Sequence, residues 1–208
     1  MASTSANRLA QDLQRRIFAG ELAPGAALRE GELTDRYGAG RHTVRAALRE
    51  LIARGIVAHD PHRSARVRLL TPDDIRDLYA LRRLLELEAL RRVVEGDAPL
   101  VTLEEAVARR EAVEPDAGEG YTVEELDADL DFHRALVHSV GSERLSRTFE
   151  TLANELRLAF LAFIADPGDR GDHRPILDAA RARDLERATD LLDRHIRDGL
   201  RLCLAAAS

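Results

Sequence analysis

The chain has almost none of the residues that build disulfide frameworks or membrane spans. Its 208 residues include one cysteine and no tryptophan, which excludes an intrachain disulfide framework and a cysteine-rich zinc ribbon. No stretch approaches about 18 consecutive apolar residues, so a membrane-spanning helix is excluded as well. Residues 1–10 carry no apolar run of the secretory kind, and we therefore expect a cytoplasmic protein with no membrane partner.

Lysine is also absent, so all 31 basic side chains are arginines. Residues 1–70 carry 12 arginines and 7 acidic residues, whereas residues 71–208 carry 19 and 30. The net charge of -6 therefore divides into +5 on the first part and -11 on the second. A basic N-terminal third indicates a polyanionic partner, although two ordinary solvated surfaces of different composition would give the same division.

The N-terminal third has the pattern of a small DNA-binding module. Apolar residues recur at helical spacing over residues 6–19, 30–37 and 41–54, and a glycine-containing turn at residues 38–40 separates the last two helices. Residues 56–59 and 65–69 then resemble two short strands around a polar tip. Two short helices joined by a tight turn and followed by a β-hairpin are typical of a winged helix-turn-helix.

The third predicted helix carries polar side chains opposite its apolar stripe. These are Arg41, His42, Thr43, Arg45 and Arg49. The first four lie at the N-terminal end of the helix, which is the part that meets base edges in a major groove. Arginine pairs with two acceptors on guanine or with phosphate, and Arg63, Arg66 and Arg68 of the hairpin could reach flanking phosphates. We predict binding to double-stranded DNA, with an arginine-rich solvated helix as the alternative.

A longer pattern runs through residues 19–30, 32–33, 41–48 and 51–57. It reads G-E-L-A-P-G-A-A-L-R-E from Gly20 and R-H-T-V-R-A-A-L from Arg41. This pattern resembles the GntR family of bacterial transcription regulators, over nearly all of residues 9–70. Gly40, Thr43 and Ser64 depart from the usual Ser, Pro and wing-tip Gly of the family. The resemblance implies a homodimer that reads a palindromic operator.

From residue 71 onward the pattern is helical throughout. Thr71-Pro72-Asp73-Asp74 is a strong helix start, and Thr102-x-x-Glu105 and Thr122-x-x-Glu125 resemble capping boxes. Helical spacing predicts helices at residues 72–95, 102–114, 123–140, 143–165, 172–182 and 184–205. The predicted fold is mainly α, with a winged helix-turn-helix domain and its small hairpin wing at residues 1–70. An antiparallel all-helical bundle follows at residues 71–208.

Four metal-ligating side chains fall on inward faces of these predicted helices. Asp129 and His133 lie one turn apart on one apolar stripe, and His173 and His195 lie on two others. Aspartate is rarely buried unless it is paired or binds a metal. Three imidazoles and a carboxylate suit transition metals better than calcium or magnesium. We predict a divalent metal site for zinc, with nickel or another transition metal as alternatives. Satisfied core histidines are the other interpretation.

The same four residues occur together with Phe132 and with the pattern Arg82-x-x-Leu85-Glu86. This combination resembles the C-terminal ligand-binding domain of the FadR subfamily, called the FCD domain. The resemblance implies that Asp129, His133, His173 and His195 hold a divalent metal, and that a small organic acid binds near or on it. Arginine pairs carboxylates bidentately, which makes three residues candidates for holding the effector: Arg82, Asn154 and Arg157.

Together these patterns predict a DNA-binding regulator rather than an enzyme, and a repressor of a metabolic operon. An organic acid would control operator affinity by binding the two states of the protein unequally. Three alternatives stay open. The chain could be a metal-dependent hydrolase whose Asp/His site activates water. It could instead be a regulator for which the metal itself is the signal, or one whose histidines are structural only.

Overall fold

The computed structural model describes residues 5–59, 65–96, 99–113, 122–161 and 172–206. These residues contain nine helices and three short strands. The chain divides into two compact units, Met1–Leu70 and Thr71–Ser208. Among the described helices, none is both long and apolar enough to cross a bilayer.

The first unit is a winged helix-turn-helix, as predicted. Its helices are α1 (Ser5–Phe18), α2 (Glu30–Tyr37) and α3 (Arg41–Ala53), and its strands are β1 (Ala27–Leu28), β2 (Val57–Ala58) and β3 (Ala65–Val67). The strand order is β1-β3-β2, with β3 antiparallel to both neighbours. The predicted hairpin is therefore the larger part of a three-stranded sheet. Residues 60–64 at the wing tip, among them Arg63 and Ser64, lie outside the described residues.

The packing of α1 against α3 sets which face of α3 looks outward. Leu13 and Ile17 of α1 and Val44 and Leu51 of α3 are fully buried. Gly38 ends α2 with φ 58°, a left-handed conformation that glycine adopts without strain, and the chain turns there into α3. The apolar stripe of α3 therefore faces the core and its arginines face solvent.

The second unit is an all-helical bundle, again as predicted. Its helices are α4 (Pro72–Glu95), α5 (Val101–Ala112), α6 (Val123–His138), α7 (Glu143–Phe160), α8 (Arg174–Arg181) and α9 (Leu185–Ala206). Helix α4 packs along α9 and also contacts α6, α7 and α8, while α8 packs on α9. Helix α4 is therefore a shared neighbour of α6, α8 and α9 in the core of this unit.

One of the two predicted capping boxes forms, and the predicted helix start at Thr71 is a capping box as well. At Thr71 and at Thr122 the hydroxyl accepts the N–H of the third helical residue, and Asp74 or Glu125 accepts the backbone N–H of the threonine. The prediction of a capping box at Thr102 was wrong. Helix α5 begins one residue earlier, and its N-cap is Leu100, which has no side-chain acceptor.

The start of α8 also differs from the prediction. His173 is the N-cap of this helix, with φ -86° and ψ -13°, rather than the second residue of a helix that begins at residue 172. Pro175 stands in the first turn, where its missing N–H leaves no intrahelical bond unmade. His173 therefore reaches the core from the entry of a helix.

Candidate functional site

The four predicted metal ligands converge in the second unit. Asp129 and His133 come from α6, His173 from the entry of α8, and His195 from α9. One ligand atom from each lies within 4.8 Å of all the others. Asp129 and His195 keep 13% side-chain exposure, whereas His133 and His173 keep none, so the cluster lies almost entirely in the interior.

The Nε2 atoms of the three histidines form a triangle with sides of 3.1, 3.3 and 3.3 Å. Three neutral rings cannot satisfy all three contacts with hydrogen bonds. The neutral ring of His133 carries its proton on Nδ1, which donates a hydrogen bond, so its Nε2 can only accept. The other two Nε2 atoms supply at most two N–H donors. A shared cation would make all three contacts favourable.

The distances fit an ion of zinc size. Zinc–nitrogen bonds of about 2.0–2.1 Å in a tetrahedral site separate neighbouring donors by roughly 3.3–3.4 Å. Oxygens of Asp129 lie 3.4 to 3.9 Å from the three Nε2 atoms. These separations are long for hydrogen bonds but suit ligands that share one cation. The donor set and its spacing therefore fit a divalent transition metal.

A buried chain of polar groups supports His133 from behind. Its Nδ1–H donates to Oε2 of Glu86 at 2.6 Å. The other carboxylate oxygen of Glu86 accepts from Nε of Arg82 at 2.8 Å. A carboxylate behind a histidine fixes the tautomer whose Nε2 is free to bind a metal. Arg82 and Glu86 are 1% and 0% exposed, so this orientation is held in the protein interior.

Burial determines the charge state of the cluster. It lowers the pKa of His133, His173 and His195 well below the usual value of 6.5, because the imidazolium form loses its hydration. Nearby positive charges, Arg82 among them, lower these pKa values further. Neutral imidazoles are the form that binds metal. The ring of Phe132 stacks on His173 with a centroid distance of 4.2 Å and holds it in place.

One hydrogen-bond donor group of Arg82 is not engaged by the described residues. Its Nε is paired with Glu86, and its guanidinium lies 5.4 Å from the ring centroid of Tyr79. Its Nη2 is buried and has no hydrogen-bond partner in the part of the chain that the structure describes. A buried charged donor without a partner is costly. The arrangement therefore favours a small anion close to the histidine cluster.

The other two predicted effector residues lie on α7. Asn154 and Arg157 are 9% and 7% exposed, so Arg157 is a core residue and not a surface one. Arg157 forms an ion pair with Asp127 of α6. Burial lowers the pKa of its guanidinium to about 10. The contacts described above thus join Arg82 to the cluster through Glu86 and His133, whereas Arg157 pairs with Asp127, two residues before Asp129 on α6.

Two residues near the cluster were not predicted to have a role. Glu86 entered the sequence analysis only as part of a family pattern, although its spacing from Arg82 puts both on one face of α4. Arg110 of α5 lies close enough for its charge to lower the pKa of His173, after the larger effects of burial, His133 and Arg82. It also lies 4.0 Å from the buried carboxylate of Glu125. Arg110 and His173 belong to different helices, so their proximity cannot be predicted from the spacing of residues along the sequence.

The polar residues of α3 lie on its outer face. Arg41, His42, Arg45 and Arg49 are exposed, and Thr43 is half-buried. Gly40 is the N-cap and provides no side-chain hydrogen bond to the helix. Arg66 of β3 turns back to the carbonyl of Gly25 at 3.0 Å. The first unit therefore presents an arginine-rich helix face beside a small sheet.

Comparisons with known proteins cover both units. The model of the bacterial regulatory proteins of the gntR family matches residues 5–67, and that of the FCD domain matches residues 77–198. The regulator BphR of Paraburkholderia xenovorans is 33% identical over 206 residues, covering 91% of this chain and 81% of its own. The repressor GlaR of Escherichia coli is 27% identical over 197 residues, covering 88% and 89%. A crystal structure of a GntR regulator from Rhodococcus matches with a TM-score of 0.82 and 30% identity, covering 96% and 97%.

Proposed function

The chain belongs to the GntR family of bacterial regulatory proteins and is a transcriptional regulator with an FCD domain, not an enzyme; we propose that it represses a metabolic operon in response to a small organic acid. The acid binds beside a divalent metal in the second unit. The observation that carries this proposal is the buried Nη2 of Arg82 close to three converging imidazoles. The protein acts in the cytoplasm, where its operator is.

The exposed face of α3 is the DNA-reading surface in this proposal. Its arginines at positions 41, 45 and 49 recur at one-turn spacing, so they line one side of the helix. His42 and Thr43 extend that surface at the N-terminal end, which approaches base edges when a recognition helix enters the major groove. Arg63 belongs to the same proposal, as a contact of the wing with the DNA backbone.

Asp129, His133, His173 and His195 hold the metal, with zinc as the first choice and nickel as the alternative. Three neutral imidazoles with one carboxylate suit these ions. When bound, the ion supplies a positive charge and a coordination position for a carboxylate oxygen. Arg82 forms an ion pair with the carboxylate of the acid, because its buried Nη2 is available to donate. Among its described ion pairs, only Glu86 balances its charge. Asn154 and Arg157 would contact the remainder of the acid.

A homodimer fits both the DNA target and the surface of α4. Two recognition helices would read the two half-sites of a palindromic operator. Leu81 and Leu84 are 39% and 69% exposed and lie three residues apart on α4, so they share one face. We assign this face to a second copy of the chain. Light scattering should report a dimer for the wild type and a monomer for Leu84→Glu. Leu69→Glu, an equally exposed leucine in the other unit, should leave the dimer intact.

Regulation requires that the acid binds the two states of the dimer unequally. A tenfold weakening of DNA binding corresponds to about 1.4 kcal/mol of coupling. One ion pair to Arg82 in the interior is of sufficient strength to supply such a difference. The metal is then a binding element, and no chemical turnover is expected.

The metal assignment is tested by metal content. Protein loaded with zinc and then desalted should retain close to one ion per chain, and His173→Ala should lose it. His138→Ala is the matched control, because His138 lies on the same unit but is exposed and paired with Glu150 at 3.1 Å. An unchanged metal-to-protein ratio in His173→Ala would show that the cluster is not the site.

A second candidate function is supported by the same geometry. The cluster could report metal availability, because its ligands come from three separate helices and a bound ion would tie them together. In that case DNA affinity would follow zinc alone and no organic acid would alter it. The buried Nη2 of Arg82 favours the acid-responsive function, since a pure metal sensor would use only the Nε of this side chain, to hold Glu86 behind His133.

A further inference from the structure

An acidic side chain contacts the middle arginine on the outer face of α3. Nε–H of Arg45 donates to both carboxylate oxygens of Glu30 in α2, at 3.0 and 2.9 Å. The two side chains are 55% and 40% exposed, so the pair contributes little to stability. A carboxylate on a surface that approaches DNA phosphates also weakens the general attraction to DNA. Neither the stability of this ion pair nor general affinity for DNA therefore accounts for the contact between Glu30 and Arg45.

We propose that Glu30 is a positioning residue that holds Arg45 ready to read a guanine in the operator. The inference rests on the proposed role of α3 in DNA binding. Glu30 engages only Nε, and no hydrogen bond from a described residue engages the two terminal nitrogens of Arg45. Those nitrogens carry the parallel N–H groups that match O6 and N7 of guanine. Glu30 thus fixes the stem of the side chain and leaves the reading end free.

The advantage of this arrangement is conformational. A free arginine side chain samples many rotamers and loses that freedom when it binds a base. An arginine already oriented by a carboxylate loses less. Glu30 is itself well placed, because it is the first residue of α2 and a carboxylate is favourable at a helix N-terminus. Arg41 and Arg49, one turn before and one turn after, form no ion pair with a described residue, so Arg45 is singled out on this face.

The test compares Glu30→Gln with Glu32→Gln. Both substitutions remove one negative charge from α2, so both change the general attraction to DNA alike. Glu32 pairs with Arg29 at 2.7 Å and not with α3, which makes it the matched control. Fluorescence anisotropy would give the Kd of each variant for a duplex that the wild type selects from a random pool, and for a scrambled duplex of the same length. The ratio of the two Kd values measures discrimination.

We expect discrimination to fall roughly three- to tenfold in Glu30→Gln, the effect of leaving one long side chain unordered before binding. It should be unchanged in Glu32→Gln. Glu30→Asp, which keeps the charge but shortens the reach, should also discriminate less well. In an Arg45→Ala background, Glu30→Gln should have no further effect on the ratio, because Glu30 acts through Arg45.

Several outcomes would overturn the inference. One is unchanged discrimination in Glu30→Gln with a wild-type melting temperature, and another is an equal loss with and without Arg45. If Glu30→Gln proves poorly folded, the result for Glu30→Asp decides. A wild type that selects no sequence at all would overturn the DNA-reading role of α3 itself, and the inference with it, so the two failures are distinguishable.

Discussion

Replacing Glu86 with glutamine should impair metal binding, although Glu86 is not a ligand. The carboxylate accepts from Nδ1–H of His133 on one side and from Nε of Arg82 on the other. Glutamine cannot serve both partners. If its amide nitrogen faces His133, it donates to Nδ1 and moves the ring proton to Nε2, the atom that should bind the metal. If its oxygen faces His133, the amide nitrogen meets the Nε–H of Arg82, and two donors oppose each other.

The size of the effect follows from the position of Glu86 directly behind a ligand. Loss of such a partner weakens metal binding about 10- to 100-fold, or about 1.4–2.7 kcal/mol. At a free zinc concentration of about 100 times the wild-type Kd, zinc stabilises the wild type by about 2.7 kcal/mol. A 30-fold weaker site would gain only about 0.9 kcal/mol at the same concentration. The zinc-induced rise in Tm should therefore be roughly 6 °C smaller in the variant.

The assay is thermal unfolding of chelator-stripped protein with and without zinc, followed by calorimetric titration. Glu88→Gln is the control, because Glu88 lies on the same helix but is part of an exposed network with Arg91 and Arg92. Its zinc-induced shift should match that of the wild type. A full zinc-induced shift in Glu86→Gln would refute the reasoning, since it would mean that the tautomer of His133 does not depend on Glu86.

Other expectations concern stability and reactivity. Gly199→Ala should lower the free energy of unfolding in urea, because the new methyl group would lie 3.0 Å from Oη of buried Tyr79. Crowding of about 1–3 kcal/mol then exceeds the gain of about 1 kcal/mol in helix propensity. Gly31→Ala, with nothing within 4 Å, should raise the free energy of unfolding. Burial raises the pKa of Cys203 from 9.0 to about 12, so alkylation at pH 9 should need prior unfolding. The unfolded thiol ionises first, so this group's contribution to stability should fall from about pH 9 towards pH 12. Thr122→Ala should lower the free energy of unfolding by about 1 kcal/mol through loss of the helix cap, measured by the same urea titration.

The sequence contained enough local information to predict the helices and the inward-facing positions of the ligands, and the resemblance to the FCD domain implied that they share one metal. Helical periodicity alone placed Asp129 and His133 on the buried face of α6, and the fold brings His173 and His195 to the same point. The predicted position of His173 within its helix was less accurate. It caps α8 instead of lying within it, because the proline two residues later moves the start of the helix.

Features that depend on contacts between distant segments were not predictable in the same way. Strand β1 has two residues and no alternation of its own, and it exists because β3 offers a free edge. The pairing of Glu86 with His133 joins residues 47 positions apart. On an arginine- and glutamate-rich helix such as α4, nothing in local spacing distinguishes the buried Arg82 and Glu86 pair from exposed pairs such as Glu88 and Arg91.

The central claim is that an organic acid at the metal centre controls DNA binding. The most direct measurement is the Kd of the zinc-loaded protein for its selected duplex, across a panel of small mono- and dicarboxylic acids, for the wild type and Arg82→Ala. At least one acid should raise the wild-type Kd about tenfold, and the same acid should leave that of Arg82→Ala unchanged. A Kd that no acid alters, but that changes when zinc is chelated, would contradict the claim and make the metal itself the signal.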